Sequence, residues 1–167
     1  ALGNVKKGLV YKEQALEMMK ALYPNQSHPD IATSLNNVGI AYEALGDVKK
    51  GLGYQEQALK MYKALYPNQP HPDVATSLNN VGNAHKALGD AKKALYNYYK
   101  PALETWEALY PDRSHPGVAT SLNNIGNAYE ALGNVQKGLA YKEQALSMKK
   151  ALYPNQPYPG VATPWST

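Results

Sequence analysis

Apolar and small residues fall at helical spacing three times along the chain. Leu35, Val38, Gly39 and Tyr42 stand at i, i+3, i+4 and i+7, as do Leu78, Val81, Gly82 and His85, and Leu122, Ile125, Gly126 and Tyr129. Each set makes one stripe on one helix face. Ahead of the stripes stand His28-Pro29-Asp30, His71-Pro72-Asp73 and His115-Pro116-Gly117. Proline there suits a first helical position, and aspartate suits the positive end of the helix dipole. Gly46, Gly89 and Gly133 stop the three helices, and Asp47, Asp90 and Asn134 cap a following one. Those following helices close on an Ala-Leu-Tyr-Pro quartet ending at Pro24, Pro67, Pro111 and Pro154. The pattern predicts helix, very short turn, helix, over and over.

The glycines Gly3, Gly46, Gly89 and Gly133 are 43, 43 and 44 residues apart. A fixed period of this size predicts an all-α solenoid of about seven helices, because one repeat cannot bury its own apolar face and must stack on its neighbours. The divisions are a half repeat over residues 1–27, repeats over 28–70, 71–114 and 115–157, and the start of another over 158–167. In the half repeat, Gly3 reads as a stop and Asn4 as the cap of a helix over 5–23. The tail Tyr158 to Thr163 copies the start of a first helix until Pro164 replaces the expected serine. The chain is expected to be a piece of a longer array, with apolar residues uncovered at both ends and self-association through them as one outcome.

Two local features need a reason. A glycine inside a helix costs about 0.5–1 kcal/mol relative to alanine, so Gly39, Gly82 and Gly126 at one register imply close helix approach. The third of the four following helices, the one that closes at Pro111, carries one extra residue between Leu95 and Ala102, beside Pro101. A π-bulge or kink between Asn97 and Pro101 is expected.

Composition then narrows the chemistry. No cysteine is present, which excludes disulfides and thiolate sites, and no apolar run approaches the roughly 18 residues of a membrane span. The net charge of +4 comes from 16 lysines but one arginine, Arg113, which argues against a nucleic-acid reader built on arginine forks. Lys6-Lys7, Lys49-Lys50 and Lys92-Lys93, with Lys137, form a stripe at the start of each second helix and are expected to point to water. His28, His71 and His115 recur once per repeat, about 10 Å or more apart in stacked hairpins. They read as caps or linker packing, not metal ligands. Tyr96, Tyr98 and Tyr99 with Trp106 are the one aromatic group outside the repeat and a candidate secondary surface. No glycine-rich phosphate loop and no catalytic constellation stands out, so no cofactor and no enzymatic activity are expected. A cytoplasmic location is the weak expectation.

The pattern Leu35-x-x-Val38-Gly39-x-x-Tyr42, its copy from Leu122 to Tyr129, the small residues Gly8, Gly51, Ala94 and Gly138, and the closing prolines resemble tetratricopeptide repeats. The period of 43 and the Tyr-Pro-Asn-Gln linker are similar to the long, kinesin-light-chain type. The resemblance implies a right-handed superhelix whose first helices line a concave groove for peptide segments of partner proteins. By register it implies groove positions Thr33, Asn36, Ile40 and Glu43, then Thr76, Asn79, Asn83 and Lys86, then Thr120, Asn123, Asn127 and Glu130. Asn37, Asn80 and Asn124 are expected to face the neighbouring helix. Asparagine offers donor and acceptor together, so such a row suits a peptide backbone. With Lys86 opposed by Glu43 and Glu130, a carboxylate clamp is not expected. The function implied is a protein-interaction scaffold. The alternatives are a self-assembling array and a regulatory arm of a larger protein.

Overall fold

The computed structural model describes residues 2–155, and the reading of the tail from Tyr158 to Pro164 lies outside them. Seven helices run through the described residues. They are α1 (Leu2–Leu22), α2 (Pro29–Ala44), α3 (Val48–Leu65), α4 (Pro72–Ala87), a composite α5, α6 (Pro116–Ala131) and α7 (Val135–Leu152). The α5 helix joins Ala91–Lys93, a π-helical stretch Ala94–Tyr99 and Lys100–Leu109. We call α2, α4 and α6 the A helices, and α1, α3, α5 and α7 the B helices.

The predicted turns are present, and their hydrogen bonds explain the boundaries. Gly46, Gly89 and Gly133 take φ of +89°, +89° and +83°, a left-handed conformation that glycine adopts without steric cost. The next N–H then reaches back five residues, Asp47 to the Tyr42 carbonyl and Asn134 to that of Tyr129. This closes the helix C-terminus. Asp47, Asp90 and Asn134 in turn accept from the backbone N–H of Lys50, Lys93 and Lys137 at 3.1, 3.0 and 3.2 Å. Gly3 and Asn4 depart from the expectation, because α1 runs through both.

At the other end of each hairpin the histidines have a double role. His28, His71 and His115 accept at Nδ1 from the N–H of Asp30, Asp73 and Gly117 at 3.1, 3.2 and 3.0 Å. Each ring also stacks on the tyrosine that closes the preceding B helix, with centroids 3.6, 3.4 and 4.1 Å apart. One imidazole thus caps an A helix and fastens it to the helix before.

The glycines mark the tightest helix contacts. A Cβ on Gly39 would lie 2.7 Å from Gln55 Cγ and 2.8 Å from the Gly51 carbonyl oxygen, and one on Gly51 would lie 2.6 Å from the Gly39 oxygen. Gly126 and Gly138 repeat the arrangement in α6 and α7. Between α4 and α5, Ala94 replaces the second glycine, and the Tyr99 ring lies over Gly82 with Cε1 2.6 Å from where a Cβ would be. The wide turn occurs at this point. Lys100 donates its N–H to Leu95, five residues back, so the extra residue is absorbed as a π-turn before Pro101. The expected distortion is present, but it starts at Ala94 rather than Asn97.

Burial follows the stacking. Leu16 of α1, Ile31, Leu35 and Val38 of α2, Leu59 and Tyr62 of α3, and Leu78 and Val81 of α4 share one core cluster. Leu95 and Tyr99 pack with Ile125 and Tyr129, and Trp106 with Val118 and Leu122. Every cluster spans more than one repeat, as a solenoid requires. Two glycines of neighbouring sequence therefore differ in consequence. Gly39→Ala forces α2 and α3 apart and is expected to cost about 1–3 kcal/mol, whereas Gly53→Ala, with nothing within 4 Å, should stabilise by about 0.5–1 kcal/mol through helix propensity. Urea denaturation of the two variants checks this.

Candidate functional site

The A helices lie side by side, and asparagines join them. Asn80 Nδ2 donates to Asn36 Oδ1 at 3.0 Å, and Asn124 Nδ2 to Asn79 Oδ1 at 3.3 Å. Asn79 Nδ2 donates in turn to Ser121 Oγ at 2.9 Å. Asn80 and Asn124 thus face the neighbouring repeat, as expected, whereas Asn37 is exposed. The first asparagine is the acceptor of that bond, which corrects the groove assignment for Asn79. It is 5% exposed with both ends of its amide engaged. Asn36 and Asn123 are half-buried, and Asn37 is the exposed member of its pair. Helix register alone placed the first asparagine on the open face. The contact between A helices draws Asn79, Asn80 and Asn124 inward, and Ser121 was the sequence signal of a polar partner there.

Glu43, Lys86 and Glu130 share one register, and the two glutamates turn to their own B helix rather than to a groove. Small residues at Gly51 and Gly138 make room, each within 3 Å of a glutamate Cγ if given a Cβ. Glu130 Oε2 accepts from Lys142 Nζ at 2.5 Å. Where the last repeat has Lys142, α3 has Gln55. There Glu43 Oε1 is buried without a hydrogen-bond partner, and burial raises the Glu43 pKa against the pull of neighbouring Gln55. Lys86 is half-buried in the same register.

What remains open is an uncharged row. Thr33, Asn37 and Ile40 of α2, Thr76 and Asn83 of α4, and Thr120 of α6 are exposed, with Asn127 half-buried beside them. Two of these also hold neighbours. Thr33 Oγ1 shares a 2.8 Å hydrogen bond with the Tyr62 hydroxyl, and Asn83 Oδ1 accepts from the Tyr99 hydroxyl at 2.7 Å.

The aromatic group is not one surface. Tyr99 is 0% and Trp106 5% exposed, Tyr99 filling the space over Gly82 and Trp106 the space over Gly117. Tyr98 stacks on His85 at 5.0 Å, as Tyr54 does on Tyr42 and Tyr141 on Tyr129 at 5.5 and 5.6 Å. It therefore belongs to the repeat. Only Tyr96 is exposed, under the ammonium of Lys100 at 4.5 Å. Sequence reasoning missed a cleft of about 650 Å³ beneath the first linker, lined by Tyr23, Ile31, Leu35, Gln57 and Met61. A second of about 450 Å³ lies under the third linker beside Gln144 and Met148. The recurrence of Gln and Met at these registers was its signal.

The match to known proteins agrees with this geometry. The tetratricopeptide repeat profile matches residues 1–64, 30–100 and 73–151. The chain belongs to the tetratricopeptide repeat family. No curated protein matches its sequence. Among solved structures it resembles BtubC (BKLC) from P. vanneervenii, with a TM-score of 0.78 and 24% identity over 99% of this chain. It spans 64% of that protein. A Podosopora anserina protein of nearly identical TPR-like repeats, described as a kinesin light chain, gives 0.73 at 23% identity, covering 89% of this chain and 69% of its own. The TPR domain of Arabidopsis FLU gives 0.62 at 16%, covering 72% and 95%. These tetratricopeptide repeats share the solenoid fold, and such repeats are in general non-catalytic interaction scaffolds. No helix among the described residues is long and apolar enough to cross a membrane.

His85 is the one break in the tetratricopeptide stripe. Burial lowers its pKa, helped by the charge of Lys93 and opposed by Glu56 and Asp90. A base with a depressed folded-state pKa stabilises the fold fully above its unfolded value, about 6.5, and that stability is lost as pH falls from there through the folded value. His85→Tyr restores the repeat residue against Tyr98. Melting curves between about pH 7.5 and 5 should therefore show a smaller acid loss of Tm than in the wild type.

Proposed function

We propose that the chain is a non-enzymatic interaction module that holds an extended segment of a partner protein along the A-helix face. The observation that supports this most is the uncharged row Thr33, Asn37, Ile40, Thr76, Asn83, Thr120 and Asn127, in which the registers of Thr33 and Ile40 recur on all three A helices. Packed helices lie about 8–10 Å apart, which is close to three residues of extended chain at about 3.3 Å each. A peptide laid across α2, α4 and α6 therefore meets a hydroxyl or amide about every third residue. Such groups take backbone N–H and C=O alike and put little demand on side chains. Lys86 is the one cation in that register, so the face does not read as a clamp for a terminal carboxylate.

End-to-end stacking of copies is a second reading, favoured by one observation. Leu139 and Leu146 of α7 are 52% and 43% exposed, while their counterparts Leu95 and Leu59 are 0% and 7%. The test is a peptide-library selection on the wild type and on Ile40→Ala/Thr76→Ala/Asn127→Ala, after circular dichroism shows equal helicity. Peptides enriched on the wild type and lost on the variant are expected. Enrichment unchanged by the substitutions, together with a sedimentation coefficient that rises with concentration, would replace the peptide reading with stacking.

A further inference from the structure

A second kind of site becomes visible when the three hairpin ends are compared. At each, an A-helix aromatic meets a B-helix lysine and one residue from the preceding B helix. At the first end the Tyr42 hydroxyl donates to Glu13 Oε1 at 2.5 Å, and Lys50 Nζ lies 4.3 Å from the ring centroid. At the second, His85 Nε2 is 3.6 Å from Glu56 Oε1, with Lys93 close enough for its charge to act on the imidazole. Both sites hold one carboxylate against one lysine.

The third end reverses the sign. Lys100 stands in the register of Glu13 and Glu56. Its Nζ is 5.9 Å from the centroid of the Tyr129 ring, and that of Lys137 is 4.6 Å from the same centroid. Among the described residues neither ammonium has a carboxylate within 4.0 Å. Glu130 is paired with Lys142, and Asp90 holds the backbone N–H of Lys93. The consequence is visible in the tyrosines. Hydrogen bonding to Glu13 raises the Tyr42 pKa. At Tyr129 burial works upward, but the ammonium groups of Lys137 and Lys100 together outweigh it and lower the value.

We propose that Lys100 and Lys137, whose ammonium groups lie 5.9 and 4.6 Å from the Tyr129 ring centroid, form a binding site for one oxyanion, a carboxylate or a phosphate group, in the place where the other hairpin ends supply their own glutamate. Tyr129 is 5% exposed, so its ring is a fixed platform and not a swinging side chain. Tyr96, under Lys100, forms the outer wall. The site faces away from the uncharged A-helix row and does not depend on peptide binding there. Two ammonium groups over one ring, neither with a carboxylate within 4.0 Å among the described residues, repel one another, and an external anion relieves that repulsion. The proposed interaction weakens with salt, because both groups are near the surface.

The test is an NMR titration of the whole chain at low ionic strength. One arm uses sodium phosphate and the other an acetylated, amidated tetraglutamate peptide. Backbone shifts centred on Tyr96, Lys100, Tyr129 and Lys137 are expected. Lys100→Glu, which rebuilds the arrangement of the first hairpin end, should weaken binding by about tenfold or more and raise the Tyr129 pKa. Lys60→Glu, the same charge change on the exposed side of α3, should alter it by less than about twofold. If Lys100→Glu loses helicity, Lys100→Gln decides by the same comparison. Tighter binding of the peptide identifies an acidic segment of a partner as the source of the anion, and binding of phosphate alone identifies the free ion. No shift at these residues with either probe, or equal weakening by Lys100→Glu and Lys60→Glu, would overturn the proposal.

Discussion

Every A helix must touch its own B helix closely enough to leave room for the next repeat on its other side, and that distance is the constraint on the whole array. Gly39 against Gly51 and Gly126 against Gly138 meet it by removing the Cβ from both helices, which brings a carbonyl oxygen to within 2.8 Å of where a Cβ would stand. The cost is helix propensity at each glycine. The gain is that Glu43 and Glu130 lie down over the gap instead of facing outward. Where α5 has Ala94 and Tyr99 instead, the same distance is reached differently. A π-turn shifts the helix, and the tyrosine ring fills the space over Gly82.

Contacts between repeats are polar as well as apolar. Histidine rings stack on tyrosines at the linkers while capping the next helix, and asparagines bridge one A helix to another. These bonds have directions and fixed lengths, so they set the register between hairpins as well as stabilising them. They also sort the A-helix polar residues into two groups. Asn36, Asn79, Asn80 and Asn124 hold the repeats together, and Thr76, Thr120 and Asn127 make no such bond among the described residues. An open polar row and a seam between repeats thus come from the same short sequence.

Much of this was legible in the sequence, and the reasons are local. Helix stripes, stop glycines, N-caps and closing prolines depend on neighbours within a few residues, so the hairpins could be located from residue order alone. The histidines could be read as caps for the same cause. The extra residue beside Pro101 pointed to a π-turn because a helix has few ways of absorbing it. What failed were readings of which way a particular side chain turns between helices. Asn79 and Glu43 were placed in the groove by register, and the close contact turned both away from it. Tyr99 and Trp106 looked like surface aromatics because nothing in residue order shows that Gly82 and Gly117 leave holes of their size. The pairing of Lys100 with Lys137 belongs to the same class, since the two are separated by an entire A helix.

The division of the asparagines into seam and surface is the central claim, and the stability of two single variants tests it most directly. Asn79→Ala removes an acceptor from Asn124 and a donor from Ser121 in a buried place, and a loss of about 1–3 kcal/mol is predicted. Asn127→Ala lies on the open row, and a change within about 0.5 kcal/mol is predicted. Equal losses, or a larger loss for Asn127→Ala, would contradict the account, because the first asparagines would then not be what joins the repeats.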